Sequence, residues 1–221
     1  MPGSTRLEPR LLAVAQEVTG PVHADIGADH ARLPRYLLEK GQVKRVIVVE
    51  KHPGPYANAQ RALAGLPAEV RLGDGLSALR PGEVHSLSLS GMGARLILRI
   101  LQGHPTRLPP RLVLQPNDSA EPLRRWALQA GFALVREQMV EGFWRYNVLT
   151  LEKGHCTAYE GLPLELALAF GPLLLRQKHP LLRAELAAQL ERLRRLPRVE
   201  RVQREQARVE AALAWLEAST P

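Results

Sequence analysis

The segment Asp25-Ile26-Gly27-Ala28-Asp29-His30-Ala31-Arg32-Leu33-Pro34 closes a short β-like run and opens a helical pattern. Gly27 stands where a backbone must approach a ligand closely or take a positive φ. A turn that cradles a pyrophosphate favours G-x-G-x-x-G. Here Asp29 occupies the place of the second glycine. A carboxylate at that point repels a pyrophosphate and attracts the ammonium of an amino acid.

Two more carboxylates end the next β-like runs. Glu50 follows Val48-Val49, about twenty residues after the glycine turn, where it is placed to accept from ribose hydroxyls, and Lys51 comes next. Gly73-Asp74-Gly75-Leu76 ends the third run, and its Asp74 can accept from an adenine amino group. Each acid alone reads as well as a helix cap. Three at successive strand ends, with Asp29, favour S-adenosylmethionine, a zwitterion with an adenosine end, over a nicotinamide dinucleotide. Ser90-Gly91-Met92-Gly93 ends the fourth run and exposes backbone beside the expected reaction centre, with Met92 read either as pocket lining or as packing. The fifth ends Gln115-Pro116-Asn117-Asp118. There Asn117 caps the next helix or touches a base, and Asp118, with Ser119 in competition, is the expected cap. Asn-Pro-Pro-Tyr, common where exocyclic amines are methylated, is absent.

The elements that must hold these residues alternate. β-like runs at 22–26, 45–50, 70–72, 86–90 and 111–115 are separated by amphipathic stretches at 33–40, 54–64, 94–101 and 120–130, behind a leading helix at 6–18. Such alternation predicts a parallel sheet covered on both faces. Runs at 133–140 and 144–152, only three residues apart, predict a terminal hairpin instead of another crossover. The expected fold class is therefore α/β, a class I Rossmann-like sheet of five parallel strands plus a β-hairpin. Residues 162–176 read as one helix. Leu182, Leu186, Leu190 and Leu193, then Val202, Val209, Leu213 and Leu216 after Pro197, give a helical hairpin or short coiled coil. The expected domains are residues 1–158, which bind the cofactor, and 159–221, which are helical.

The chain of 221 residues carries 30 Lys and Arg against 22 Asp and Glu, a net charge of +8, which fits an anionic partner such as nucleic acid or a generally basic enzyme. Arg192, Arg194, Arg195, Arg198, Arg201 and Arg204 cluster at the expected hairpin tip, as a solvated face or an RNA contact. Residues 1–6 lack the apolar stretch of a secretory signal, and no apolar run is long enough to span a bilayer. The lone Cys156 lies in no zinc pattern and cannot form an internal disulfide, so a reduced cytoplasm is expected, with no membrane, no metal and no obligatory protein partner.

The segments 24–34, Gly73-Asp74-Gly75-Leu76, Ser90-Gly91-Met92-Gly93 and Leu114-Gln115-Pro116-Asn117 together resemble the bacterial TrmK family. That family methylates N1 of adenine 22 in tRNA and joins a class I domain to a helical hairpin. The chain departs from the family pattern at Ala94, where a further glycine is expected. The resemblance implies a cofactor pocket of Asp25, Gly27, Asp29, Glu50, Asp74 and Gly75, beside which Lys51, Gly91 and Met92 are expected to contribute. Asp29, His30, Met92 and Asn117 would face the target base, with Arg32, Gln115, Pro116, Arg194, Arg195 and Arg198 as further tRNA contacts.

Adenine N1 carries an in-plane lone pair, so the expected chemistry is alignment plus stabilisation of a base that becomes cationic. Asp29 is the candidate catalytic carboxylate and His30 a second polar contact, each also readable as structural. The competing readings are methylation of another RNA base or of a non-RNA substrate, an NAD-dependent reductase, and an RNA-binding scaffold with a degenerate cofactor site.

Overall fold

The computed structural model describes residues 6–218. The expectation for the start of the N-terminus falls largely on residues 1–5, outside the described residues. Helix α1 (Pro9–Glu17) leads into β1 (Val22–Ile26), α2 (Arg32–Glu39), β2 (Arg45–Glu50), α3 (Pro53–Ala62) and β3 (Ala68–Leu72). Then follow β4 (Ser86–Met92), α4 (Ala94–Gly103), β5 (Arg111–Pro116) and α5 (Glu121–Gln129). The hairpin is β6 (Phe132–Glu141) and β7 (Arg145–Lys153), and four helices end the chain: α6 (Leu164–Phe170), α7 (Pro172–Arg176), α8 (Pro180–Arg194) and α9 (Glu200–Glu217).

The seven strands form one sheet in the order β3-β2-β1-β4-β5-β7-β6. β1 to β5 pair in parallel, and β7 runs antiparallel to both β5 and β6. Side chains alternate across each buried strand. Ala24, Ile26, Ile47, Val49, Leu87, Leu89, Leu112 and Leu114 pack on one face with Ile97 and Leu101 of α4 and Leu123 and Trp126 of α5. Val46, Val48 and Val113 pack on the other with Val14 of α1, Leu33 and Leu37 of α2 and Ala59 of α3. The strand order reverses between β1 and β4, so a crevice opens beyond their carboxyl ends, where such sheets bind ligands.

A third core joins Leu182, Leu186 and Leu190 of α8 to Val209, Ala212 and Leu216 of α9. The two helices run antiparallel, since Gln189 bonds Glu205 while Arg183 meets Glu217. The single helix expected over 162–176 is two: Gly171 has φ +97°, and a Cβ there would lie 2.5 Å from Glu137 Oε2. Pro172 then starts α7. Beneath this break sits a buried ion pair, Arg124 Nε to Glu137 Oε1 at 2.7 Å. Arg124 also donates to the carbonyls of Leu168 and Ala169, and Glu137 accepts from the amides of Leu173 and Leu174. One pair thus ties α5 and β6 to the ends of α6 and α7.

Among the described residues, no helix is long and apolar enough to cross a membrane, and no cluster of His, Cys, Asp and Glu could hold a metal.

Candidate active site

The turn after β1 is held by its backbone. Gly27, at φ +72°, donates its amide to the Val49 carbonyl at 2.9 Å, and a Cβ on it would lie 2.3 Å from Met92 Cε. Asp29 and Ala31 both have φ +51° without being glycine. Asp tolerates the left-handed region better than most side chains, whereas Ala31 carries strain of the kind that persists where surrounding contacts over-determine the backbone. The fixing contact is Glu50, whose Oε1 accepts the Asp29 amide at 2.6 Å. Burial raises the Glu50 carboxyl above its usual range. The Asp29 carboxylate is itself exposed and meets His30 Nε2 at 3.4 Å.

A cavity of about 270 Å³ lies against this turn, lined by Glu8, Arg10, Asp25, Gly27, Asp29, His30, Ser90 and Gly91 among others. Asp25 is nearly fully buried at its floor, and burial pushes its carboxyl up to about 7. Beneath it lies a polar chain absent from the sequence-based expectations. Ser88 Oγ is 2.5 Å from Asp25 Oδ1 and 2.8 Å from His23 Nε2. His23 Nδ1 is 2.9 Å from Ser86 Oγ, which donates to the Thr19 carbonyl at 2.7 Å. Burial lowers His23 to about 3.

Gln115, expected to touch substrate, is fully buried, and its neighbour Pro116, also expected there, is buried. Gln115 Oε1 accepts from Arg10 Nη1 at 2.6 Å and from the Gly91 amide at 3.0 Å, so the side chain clamps the fourth strand end to α1. Gly91, at φ +76°, sits at the irregularity in the β4–β5 register. Asn117 is exposed and donates to the Gly91 carbonyl at 2.7 Å. Asp118 does cap a helix, but the one before it: its Oδ1 accepts the Ala94 amide at the start of α4, 2.7 Å away. Ser119 accepts from the Glu121 amide at 3.3 Å, at the start of α5.

The third strand end is more open. Asp74 is exposed and pairs with Lys51 at 2.7 Å, and the hydrogen bond from Lys51 holds its carboxyl below the usual range. Gly75 is buried at φ +56°, and a Cβ on it would press on Ile100 Cγ2 at 2.9 Å, so this position has no room for a side chain. Arg32 is exposed on the cavity rim at the start of α2. Arg194, Arg195 and Arg198 are exposed around the α8–α9 turn, away from this cavity. Arg194 pairs with Glu191 at 2.7 Å.

Sequence reasoning missed Arg10. With Arg32 at the rim, it brings positive charge into a cavity whose acids are Glu8, Asp25 and Asp29, and no spacing in the sequence marks it. A zwitterionic amino-acid group needs both signs within one enclosure, and this cavity supplies them. The bare backbone at Gly27 and Gly91 lets such a ligand lie close. The residues present fit the methionine portion of S-adenosylmethionine, and Glu50, buried, and Asp74, exposed, stand at the next two strand ends.

Comparison with known proteins agrees with this geometry. The family model described as TrmK, tRNA (adenine(22)-N(1))-methyltransferase, matches residues 23–217. The tRNA (adenine(22)-N(1))-methyltransferase of Bacillus subtilis (strain 168) is 37% identical over 183 residues, 79% of this chain and 77% of that protein. The crystal structure of the B. subtilis M1A22 tRNA methyltransferase TrmK superposes with a TM-score of 0.83 at 30% identity, covering 96% of this chain and 98% of the other. Streptococcus pneumoniae Sp1610, a putative tRNA (m1A22) methyltransferase solved in complex with S-adenosyl-L-methionine, superposes at 0.83 with 32% identity, covering 92% and 98%. The chain belongs to the TrmK family and is an S-adenosylmethionine-dependent tRNA (adenine(22)-N(1))-methyltransferase.

Proposed function

We propose that methyl transfer takes place where the cavity beside β1 meets the strand ends carrying Gly91 and Asn117, with tRNA reaching it across the face that carries Asn117. The observation that carries this reading is that Arg10, Asp25 and Asp29 line one cavity whose Gly91 wall is bonded to Asn117. Asp25, Gly27, Asp29, Gly91 and Met92 hold the methionine end of the donor in this reading, and Glu50, Lys51 and Asp74 the ribose and adenine. When bound, S-adenosylmethionine supplies an electrophilic methyl group on a sulfonium.

The chain's own part is positional and electrostatic. Adenine N1 needs no base to remove a proton, so no residue has to act as one. Glu50 fixes the Asp29 amide and thereby aims a carboxylate at the rim of the cavity. A carboxylate near the acceptor base stabilises the positive charge that the base gains, the kind of preorganised electrostatics that contributes most when water is excluded. His30, paired with Asp29, holds that side chain in place. Gln115 acts through Arg10 and Gly91, and Pro116 stiffens the strand end that carries it.

Residues 1–158 act in this reading as the donor-binding domain and residues 159–221 as a helical domain that contacts RNA, in the cytoplasm. The separate core between α8 and α9 supports the division. Arg194, Arg195, Arg198 and Arg32 take phosphates, which makes binding fall steeply with salt. N1 lies on the Watson–Crick edge, so the target must be unpaired or extruded. The test is mass spectrometry of nucleosides from unmodified tRNA incubated with enzyme and isotope-labelled donor. The expected product is 1-methyladenosine at position 22 alone; another modified base or position would sink this reading of the substrate site and leave the fold intact.

A further inference from the structure

The tip of the β6–β7 hairpin carries the most exposed aromatic pair among the described residues. Phe143 is 87% exposed and Trp144 66%, and their rings meet edge to face at 4.9 Å and 85°. Neither ring contributes to any of the three cores. The hairpin itself does not need them, since Glu141 pairs with Arg145 and closes the ladder without either side chain. Large aromatics left in water at a loop tip cost solubility and mark an interaction site.

What surrounds the pair defines its partner. Trp144 also lines a second cavity of about 540 Å³ between the hairpin, the end of β5 and the helices α8 and α9. Its wall includes Asn117, Asn147, Gln189, Arg192 and Arg208. Arg145 and Arg192 reach the same carboxylate, Glu185, at 2.7 and 3.2 Å, so that group leaves one positive charge uncompensated. Further along, Arg194, Arg195 and Arg198 are all exposed on the α8–α9 turn. Within the cavity the acids Asp118, Glu121, Glu185 and Glu205 face Arg145, Arg192 and Arg208, while Arg124 is taken up by Glu137. A neutral planar group suits that interior, while phosphates suit the arginines beyond it. Aromatic faces beside arginines are how proteins hold unpaired nucleotides. The cavity wall includes Asn117, which bonds Gly91 on the wall of the donor cavity.

We propose that Trp144, buttressed by Phe143, stacks on an unpaired base of the tRNA substrate at the mouth of this cavity, next to the site of methyl transfer. The inference rests on the tRNA reading above. It assigns RNA contact to a hairpin that the sequence-based expectations left purely structural, and it places the contact on the methyltransferase sheet as well as on the helical tail.

The test uses the full chain and an unmodified tRNA transcript. Truncating a stacking residue removes on the order of 1–3 kcal/mol per base, roughly tenfold or more in affinity. The Kd for tRNA is expected to rise about tenfold in Trp144→Ala, to rise further in Phe143→Ala/Trp144→Ala, and to return close to wild type in Trp144→Phe. Donor affinity, measured by calorimetry without RNA, stays unchanged in all three, which also reports that they fold. The other two tryptophans, Trp126 and Trp215, lie in or against cores, so tRNA should quench emission in the wild type and much less in Trp144→Phe. Unchanged tRNA affinity in the alanine variants overturns the proposal. So does a change of oligomeric state on sedimentation with tRNA affinity kept, which would make the patch a contact between copies of this chain. If the wild type itself fails to bind tRNA, the tRNA reading falls and the proposal with it.

Discussion

His23 and Asp25, two residues apart on the same side of β1, share one hydroxyl, that of Ser88 on β4. Counting protons along this chain fixes its state. Ser86 must donate to the Thr19 carbonyl, which can only accept, so His23 Nδ1 carries hydrogen and donates to Ser86. In a neutral imidazole Nε2 then accepts, and the proton it takes is Ser88's only one. Asp25 is left to donate to Ser88, as a neutral carboxylic acid. Burial acts the same way on both ends, raising Asp25 to about 7 and lowering His23 to about 3. The other charged groups around this end are Glu50 on β2, which raises Asp25 further, and Arg10, Arg32, Glu8 and Asp29 around the cavity, with the His30 imidazole beside Asp29.

The pair's contribution to stability should therefore be flat between about pH 4 and 6.5. In that window the folded pair holds one proton, on Asp25, and the unfolded pair also holds one, on His23. Each single variant uncovers half of the balance. Asp25→Asn keeps the donating geometry and leaves His23 neutral when folded but charged when unfolded, so stability falls as pH drops from 6.5. His23→Leu leaves Asp25 protonated when folded but ionised when unfolded, so stability falls as pH climbs from 4 toward 7. Each slope approaches about 1.4 kcal/mol per pH unit. Urea denaturation at several pH values reads them. Parallel curves for wild type and both variants would show that the two groups do not share a proton.

Gln115 separates positioning from substrate contact. Its Oε1 joins Arg10 to Gly91, and its side chain has no exposed surface with which to meet RNA. Gln115→Leu should weaken donor binding by roughly tenfold or more, because the Gly91 amide loses a buried acceptor and Arg10 its anchor. The affinity for tRNA should change less than twofold in about the same assay range, by the same argument. Calorimetry with the donor and filter binding with tRNA give the two numbers. A loss confined to tRNA would return Gln115 to the substrate side.

The pair Arg124–Glu137 makes a stability prediction. Glu137→Ala leaves a buried guanidinium and frees the amides of Leu173 and Leu174, so about 3–5 kcal/mol should be lost. Replacing both partners, as Arg124→Met with Glu137→Leu, should recover part of that loss, with the carbonyls of Leu168 and Ala169 still lacking their donor. Thermal melts of the wild type and the two variants decide it; a double variant no better than Glu137→Ala would show that the backbone contacts, not the charge, carry the junction.

Much of this was legible in the sequence for a physical reason. Strands β1 and β2 are short runs rich in apolar residues with an acid at the last or next-to-last position, and both lie where those runs predict. The glycine turn, with Asp29 in place of glycine, was readable because few side chains suit a left-handed position. Gly171-Pro172 was a readable break, but the leucines on either side hid it by keeping helical spacing. His23, Ser86 and Ser88 were not readable. On a strand buried on both faces, polar residues look like an outward stripe until a partner strand supplies their hydrogen bonds. Arg10 and Gln115 were hidden for a related reason: they are 105 residues apart, and only the sheet order brings them together.

Asp29 is where backbone and charge must be tested separately. Its φ of +51° means that Asp29→Ala alters two things, the carboxylate and the tolerance for a left-handed backbone. Asp29→Asn keeps the shape and the tolerance and removes only the charge. If the carboxylate stabilises the cationic base, Asp29→Asn should melt within about 1 kcal/mol of wild type and bind tRNA normally. Its kcat should fall by about a hundredfold, the scale expected when one preorganised electrostatic group is lost. Asp29→Gly, which frees the backbone and also removes the charge, should lose at least as much. Single-turnover methylation with saturating donor measures the chemical step directly. Full activity in Asp29→Asn, with Asp29→Ala impaired, would mean that this position serves the turn and the amide bond to Glu50, and that the charge on the base is met by another group.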